Sequence, residues 1–405
     1  MKRYLVGGAV RDALLGLGVH ERDWVVVGAD PDSLLAQGYR PVGADFPVFL
    51  HPETQEEHAL ARTERKSGHG YHGFTFHTGP EVTIEDDLLR RDLTVNAIAQ
   101  DVDGRLIDPY GGRADIEARI LRHVSEAFAE DPVRILRVAR FHARFAALGF
   151  SVAPETLQLM RQMVEAGEVD HLVAERVWQE TARALMQERP SVFFETLRDC
   201  GALARIMPEI DALFGVPQPA QYHPEIDSGR HVMMALDVAA REAAPLRVRV
   251  AVLLHDLGKG VTPREHWPSH RGHEQTGIPL VRAFCARLRV PNACRDLALA
   301  VTENHLRVHR SEELRASTTL NLVEQFRGLR DPEYFEDALW ACRCDVRGRL
   351  DRESVDYPSI ERLRAARDVA ATVQARDAMA QGAVGPQIGE RLRQLRIAAI
   401  KRARR

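Results

Sequence analysis

The residues Tyr4-Leu5-Val6-Gly7-Gly8-Ala9-Val10-Arg11-Asp12 and, a few positions on, Glu21-Arg22-Asp23-Trp24-Val25-Val26-Val27 read as a strand, a glycine turn, a helix, a short loop and a second, buried strand. Residues two apart on a strand point to the same face, so Glu21 and Asp23, at the start of that strand, are expected to hold metal ions side by side. Gly8 has no Cβ and lets backbone approach a phosphate near the N-terminus of the following helix; Arg11, one turn in, reaches the same group. An acid-x-acid pair on its own is more often solvated charge. Here the apolar residues immediately downstream bury the strand, and unpaired acids at its end are costly without a cation. Carboxylates for metals beside donors for phosphate form the layout needed to move a nucleotidyl group from a triphosphate.

The chain has 405 residues, enough for two or three domains, with 45% hydrophobic and 28% charged residues, as in a globular protein. A net charge of -3 gives no bulk attraction to nucleic acid, so an RNA partner must be held by local basic patches. No apolar run approaches a membrane span, and the N-terminus does not read as a signal peptide, so no membrane partner is expected. Five cysteines form no even disulfide framework, which points to a reducing cytoplasm; Cys342 and Cys344 read as structural thiols because no second pair supports a metal site.

Over the first ~140 residues short β-like runs alternate with helices, as in an α+β domain. Strands are expected at Tyr4–Val6, Trp24–Val27, Pro47–Leu50, His58–Ala61, Arg105–Ile107 and Leu121–Val124. After Glu130 the pattern turns helical, with expected helices at 131–148, 154–166, 174–187, 190–203, 229–242, 246–257, 275–289, 294–305 and 332–347. Val216-Pro217-Gln218-Pro219-Ala220 reads as a linker, and Gly260 to Gly272 as a loop beside a site.

The helix opened by Glu130-Asp131-Pro132 carries Arg134, Arg137, Arg140 and Arg144. At about 100° per residue these fall within a sector of about 120°, away from most of the apolar positions. Four arginines on one face repel each other without an anionic partner, and a phosphate or a base edge is the natural counterpart. In Glu85-Asp86-Asp87-Leu88-Leu89-Arg90-Arg91-Asp92, early acids and late arginines suit an ordinary helix dipole, so Arg90 reads as a surface residue, whereas Arg91, entering Asp92-Leu93-Thr94-Val95-Asn96-Ala97, reads as a site residue.

With these stretches, and with Asp45-Phe46-Pro47-Val48-Phe49, Ala61-Arg62-Thr63-Glu64-Arg65-Lys66, Leu288-Arg289-Val290-Pro291 and Asp345-Val346-Arg347-Gly348-Arg349, the chain resembles the bacterial tRNA CCA-adding enzymes, in the class shared with bacterial poly(A) polymerases. The resemblance implies an α+β fold in which an N-terminal nucleotidyltransferase head with a small mixed β-sheet precedes an all-α neck, body and tail. The expected division is a head over 1–138, a helical neck and RNA-binding region over 139–222, a hydrolase domain over 223–350 and a helical tail over 351–405. It implies that Gly8, Arg11, Arg91, Arg137 and Arg140 bind CTP or ATP, and that Asp131 and Arg134 offer a protein template to the base edge. A carboxylate accepts from the exocyclic amine that both bases present, and a guanidinium donates to a ring nitrogen or carbonyl. Mg²⁺ at Glu21 and Asp23 and tRNA as partner are implied too, with a monomer or homodimer as the assembly. The segment Arg62 to Gly73 resembles the family's flexible loop. The family usually has Asp where this chain has Glu21; the extra methylene moves the carboxylate by about 1.5 Å on a fixed backbone, which a strand or rotamer shift is expected to absorb.

Val248 to Lys259 forms an apolar helix ending Leu253-Leu254-His255-Asp256-Leu257-Gly258-Lys259. With His231 before it and Asp345 after it, this segment resembles the HD phosphohydrolase superfamily, in which His and Asp ligands hold a divalent metal that activates water toward a phosphoester. His273, His305 and His309 are supporting candidates. Within the resembled family the domain carries phosphatase, 2′-nucleotidase and 2′,3′-cyclic phosphodiesterase activities with nickel (Ni²⁺) favoured, although imidazole suits several divalent transition metals. A poly(A) polymerase shares the head motifs but not the HD segment. An HD phosphohydrolase whose head merely binds RNA would require Glu21 to be inactivating.

Overall fold

The computed structural model describes residues 1–19, 21–42, 48–66 and 74–404. Backbone contacts divide the chain into two compact units, Met1–Ala184 with Val192–Ile206, and Leu185–Ser191 with Met207–Arg405.

The first unit is organised by a seven-stranded sheet of β1 (Lys2–Val6), β2 (Asp23–Val27), β3 (Arg40–Val42), β4 (Val48–Leu50), β5 (Glu57–Leu60), β8 (Ala99–Asp101) and β9 (Leu106–Ile107), in the order β3-β4-β5-β2-β1-β8-β9. It is mixed, as expected: β2 runs parallel to β5 and antiparallel to β1. Both faces of β2 are covered. Val25 packs with Tyr4, Val6, Ile84 and Leu88, while Val26 packs with Leu34, Phe49 and Leu60 on the other side. The helices that close these faces carry their own start signals. α2 (Pro31–Ala36) has Asp30 as N-cap and a proline in its first turn, and α3 (Ile84–Leu89) has a Thr83–Asp86 capping box; α1 (Gly8–Leu14) connects β1 to β2. β6 (Arg62–Lys66) and β7 (Phe74–Thr78) form a separate antiparallel pair; Ser67 to Gly73 of the expected flexible loop, and Asp45-Phe46-Pro47, lie outside the described residues.

Most expected strands are present with ends shifted by a residue or two, and Leu121–Val124 is reduced to Ile120–Leu121. Ala99–Asp101 was not expected. It has little intrinsic strand preference and becomes a strand by pairing with Tyr4 to Val6, a case of tertiary context overriding propensity.

Helices α4 (Gly112–Ala118), α5 (Val133–Phe145), α6 (Pro154–Glu165), α7 (Ala174–Leu185), α8 (Ser191–Asp199) and α9 (Ala202–Ile206) follow. The single helix expected over 190–203 is two, because Gly201 adopts φ +81°, the left-handed conformation that terminates helices.

The second unit is helical. After the short α10 (Pro208–Asp211) come α11 (Ser228–Arg241), α12 (Leu246–Leu254), α13 (His273–Arg287), α14 (Asn292–His309), α15 (Ala316–Gln325), α16 (Pro332–Arg347), α17 (Ser359–Thr372), α18 (Ala375–Met379) and α19 (Gln387–Ala403). α12 is buried along its length from Val248 to Leu254 and packs against α11, α14 and α16, so its apolar sequence is that of a central helix. The one charged side chain in that run, Arg249, is satisfied by the carbonyl oxygens of Ala244, Leu185 and Gln187 at 2.7, 2.7 and 3.1 Å. Leu320, Ala366, Ala370 and Ile400 form a smaller core among α15, α17 and α19. The Pro-rich stretch does not behave as a linker: the Gln218 amide donates to the Ile226 carbonyl at 2.7 Å and His270 Nε2 lies 2.7 Å from the Pro217 carbonyl oxygen, which fastens it inside the second unit.

Gly258 marks the tightest approach beside His255-Asp256. A Cβ there would lie 2.0 Å from the His273 carbonyl oxygen and 2.8 Å from the Gly277 amide nitrogen, both backbone atoms that cannot swing aside. Gly258→Ala is therefore expected to lower unfolding free energy by about 1–3 kcal/mol, the cost of overpacking a close contact. Urea denaturation followed by circular dichroism measures it, and wild-type stability would contradict the close packing.

Candidate functional site

The first unit holds a cleft of about 600 Å³ that is lined by Gly8, Arg11, Glu21, Asp23, Arg91, Asp131, Arg134, Arg137 and Arg140 together. These nine residues were singled out from separate stretches of sequence, and the fold brings all of them to one cavity. The register explains part of this convergence. Val6 pairs with Asp23, so the acid at the start of β2 sits beside the Gly7-Gly8 turn at the end of β1. Glu21 precedes the paired residues of β2 rather than lying in the strand, so its place in the cleft comes from the connecting loop and not from strand alternation.

The demanding glycine is Gly7. Its φ is +65°, and a Cβ on it would lie 2.9 Å from Arg91 Nη1, so it permits both the turn and the close seating of the Arg91 guanidinium. Gly8 has only Arg11 Nη2 near, at 3.5 Å. Asp23 stands open to the cleft, yet the surrounding protein raises its pKa and the neighbouring charge of Glu21 adds to this, while Arg91 opposes it. A carboxylate whose ionisation is disfavoured beside a second carboxylate suits a divalent cation, which would relieve it.

The cleft is lined by ten arginines against four carboxylates. Contrary to the expectation of an uncompensated basic face on α5, internal acids already anchor most of it. Arg137 Nε donates to Asp92 Oδ2 at 2.7 Å, Arg140 to Glu180 at 2.5 Å and Arg144 to Asp12 at 2.9 Å; Arg134 donates to the carbonyl oxygens of Ala127 and Arg90 at 2.6 and 2.8 Å. Burial alone would raise the Asp92 pKa, but the charge of Arg137 and the hydrogen bonds from Asn96 and Arg137 hold it well below the usual carboxylate range. Arg11 is buried, donates to Asp12 at 2.9 Å and lies over the rings of Phe141 and Phe145.

Several cleft residues were not singled out. Arg90, read as a surface residue, lines the cleft and donates to Asp87 and to the Arg62 carbonyl. Asp92 and Asn96 lay in a quoted stretch without an assigned role, and a buried acid following two arginines was the available signal. Arg176 gave none: it comes from α7 and grips both oxygens of Asp131 at 3.2 and 2.8 Å.

The second unit gathers His231, His255, Asp256 and Asp345 from α11, the end of α12 and α16, and all four are buried. His231 Nε2 lies 2.9 Å from Asp345 Oδ1, and His255 Nε2 lies 3.2 Å from Asp256 Oδ2 and 3.8 Å from Asp345 Oδ2. The supporting histidines join them. His273 and His305 Nε2 approach Asp256 Oδ1 at 3.2 and 3.6 Å, and His309 Nε2 approaches Asp345 Oδ2 at 2.6 Å.

Three of the rings are oriented alike. Nδ1 of His255, His273 and His305 faces a backbone carbonyl oxygen, of Val252 at 2.8 Å, His270 at 2.9 Å and Thr302 at 3.1 Å respectively. That fixes the proton on Nδ1 and leaves the Nε2 lone pair facing the cluster, as a metal ligand requires. His255 Nε2 and Asp256 Oδ1 are buried atoms without a hydrogen-bond partner, which fits a cation between them. Burial holds the His305 pKa well below its ordinary value, keeping it in the neutral form that can ligate. Two groups of ligand atoms share Asp256: His231 with His255, and His273 with His305. The donor set therefore accommodates one divalent ion and offers a second position. Lys259, at the end of the motif, donates to Asp256 Oδ2 at 2.6 Å. The five cysteines are all buried and free.

Comparisons with known proteins show the family and the fold. Residues 3–122 match the model of the poly A polymerase head domain, residues 149–214 that of the probable RNA and SrmB-binding site of polymerase A, and residues 229–346 that of the HD domain. The chain is 59% identical over 401 residues to the multifunctional CCA protein of Pseudomonas fluorescens Pf-5, covering 99% of this chain and 98% of that one, and 64% identical over 374 residues to that of Chromobacterium violaceum, covering 92% and 91%. Its fold is similar to the Bacillus stearothermophilus CCA-adding enzyme solved in complex with CTP, with TM-score 0.65, 26% identity and coverage of 99% of this chain and 89% of that one. A poly A polymerase head domain followed by an HD domain, with relatives matched along nearly the whole length at about 60% identity, shows that the chain belongs to the multifunctional CCA protein family.

Proposed function

We propose that this protein adds and repairs the 3′-terminal CCA of tRNA, taking CTP and ATP in turn without a nucleic-acid template and releasing diphosphate. The observation that carries the reading is the convergence of the nine residues on one cleft that combines paired carboxylates with arginines. The 3′-hydroxyl oxygen of the tRNA forms a bond to the α-phosphorus, the bond from that phosphorus to the β-phosphate oxygen breaks, and diphosphate leaves with the electron pair. Glu21 and Asp23 would hold divalent cations, Mg²⁺ in this reading, which neutralise charge on the reacting phosphate when bound. Gly8, Arg11, Arg91, Arg137 and Arg140 bind the triphosphate and sugar, and Asp131 with Arg134 reads the base. Arg176 holds Asp131 by both oxygens and so sets the direction of its carboxylate.

The HD domain, in this reading, hydrolyses phosphates at damaged RNA ends, acting as phosphatase, 2′-nucleotidase and 2′,3′-cyclic phosphodiesterase, with His231, His255, Asp256 and Asp345 holding Ni²⁺ or another divalent transition metal. Such ends block the hydroxyl that the head requires. The working division is a head over 1–138, a neck and RNA-binding region over 139–222, the HD domain over 223–350 and a helical tail over 351–405. A tRNA lacking its terminal CCA, incubated with CTP and ATP, tests the whole reading. Growth by three nucleotides is expected; a long A tract would indicate a poly(A) polymerase, and no growth an inactive head.

Asp23→Ala is expected to lower nucleotide addition by at least about a hundredfold, the scale of losing one electrostatic stabiliser of the transition state, while phosphate release from 2′,3′-cyclic phosphates persists. His255→Ala is expected to do the reverse, because the ligands belong to different units. Both activities are assayed on each preparation, and loss of both in a folded variant would defeat the two-site reading. Asp131→Ala is expected to reduce the preference for CTP and ATP over UTP and GTP by about 1–3 kcal/mol, the worth of one bidentate base contact. Incorporation ratios for the four nucleotides measure this; unchanged ratios would remove Asp131 from base selection.

A further inference from the structure

His231 is oriented differently from His255, His273 and His305. His255, His273 and His305 each rest Nδ1 against a backbone carbonyl of their own segment. His231 does not. Its Nδ1 lies 2.9 Å from Glu225 Oε1, a side chain on the loop that precedes α11.

Glu225 is enclosed as few surface-loop acids are, with its side chain fully shielded from solvent. Its Oε1 is shared with His223 Nδ1 at 3.0 Å, and the His223 ring stands edge-on to His231 with 4.6 Å between centroids. Its Oε2 accepts from the Leu350 amide at 3.2 Å, just beyond α16 and its ligand Asp345. One carboxylate thus touches the ligand from α11 and the chain leaving α16. The loop that delivers it is strained. Ile226 has φ +63°, a conformation that a β-branched residue adopts only when its surroundings impose it. Those surroundings are the bond from the Gln218 amide to the Ile226 carbonyl and the Pro217–Asp227 bridge. Strain held in place beside a converged ligand set is a device for aiming a side chain.

Resting on the HD metal-centre reading above, we infer that Glu225 is a positioning residue: its buried carboxylate braces the Nδ1 edge of the His231 ring against the chain leaving α16 and keeps Nε2 turned toward the metal. Loss of a supporting partner of a ligating histidine typically costs about 10–100-fold in metal affinity. His223, Glu225 and His231 could themselves surround an ion, since their ligand atoms lie within 4.8 Å of one another. His223 Nδ1 already occupies one side of Oε1 with a hydrogen bond at 3.0 Å, while His231 Nδ1 stands 2.9 Å from the same oxygen in close contact but without hydrogen-bond alignment, so counting the bound ions separates a supporting carboxylate from a ligand.

The test uses the full chain, freed of metal and titrated with Co²⁺, whose visible absorption reports coordination geometry, with bound metal counted by equilibrium dialysis. Wild type is compared with Glu225→Ala and Glu225→Gln, and thermal melts and CTP incorporation confirm that each variant is folded. Glu225→Ala is expected to weaken Co²⁺ binding by about 10–100-fold with an altered spectrum and an unchanged number of ions at saturation. Glu225→Gln, whose carboxamide fills the same place, is expected to recover part of the affinity and the wild-type spectral shape. Wild-type affinity and spectrum in either variant would overturn the proposal. So would loss of one equivalent of metal with the remainder bound as before, which would make Glu225 a ligand. A wild-type chain that binds no Co²⁺ would instead overturn the metal-centre reading and this role along with it.

Discussion

Concentrating positive charge in a partly buried cleft is costly, and the first unit is arranged around that cost. Asp92 is the clearest answer. It is buried, accepts from Arg137 on α5 and from Asn96 in the turn before β8, and stays ionised because those partners outweigh its desolvation. Asn96 in turn accepts from Arg11 on α1. Asp12 and Glu180 do the same for Arg144 and Arg140. Removing one partner from such a network leaves a buried charge uncompensated, which is far worse than lacking the pair altogether. The acids therefore aim the arginines as well as neutralise them, and the cleft presents donors already held in place.

The second unit meets the opposite problem. Its candidate centre is rich in buried imidazole and carboxylate, and an apolar helix carries the motif into the interior. α12 is surrounded by α11, α14 and α16, so the residues at its C-terminal end emerge where ligands from its neighbours can converge. Gly258 then allows the chain to pass against the start of α13, bringing His273 to Asp256. Backbone carbonyls orient three rings, and Glu225 takes that part for His231.

Much of this was legible in the sequence. The strand-turn-helix start, the buried Val25-Val26-Val27 run, the α5 arginine face and the apolar helix ending at His255-Asp256 are local patterns with periods that the chain spells out. Helix 332–347 was expected with the same limits the structure shows. The illegible parts share a cause. Ala99–Asp101 is a strand only because β1 lies beside it, and Arg176 matters only because α7 brings it to Asp131. Arg90 has the dipole-compatible placement of a surface residue, and nothing local says that its neighbours enclose it.

The sequence by itself determined the types of chemistry: paired carboxylates after a glycine turn, arginines at one helical spacing, and a His-Asp pair closing an apolar helix. These follow from side-chain identity and from periodicities of two and 3.6 residues, which operate over a few positions. Only the tertiary structure decided which charges neutralise one another, that Gly7 rather than Gly8 is the sterically required glycine, and that Glu225 faces His231 across a strained loop. Those outcomes depend on the distance between segments far apart in the chain, and charge pairing and steric exclusion are set by that distance rather than by order along the sequence.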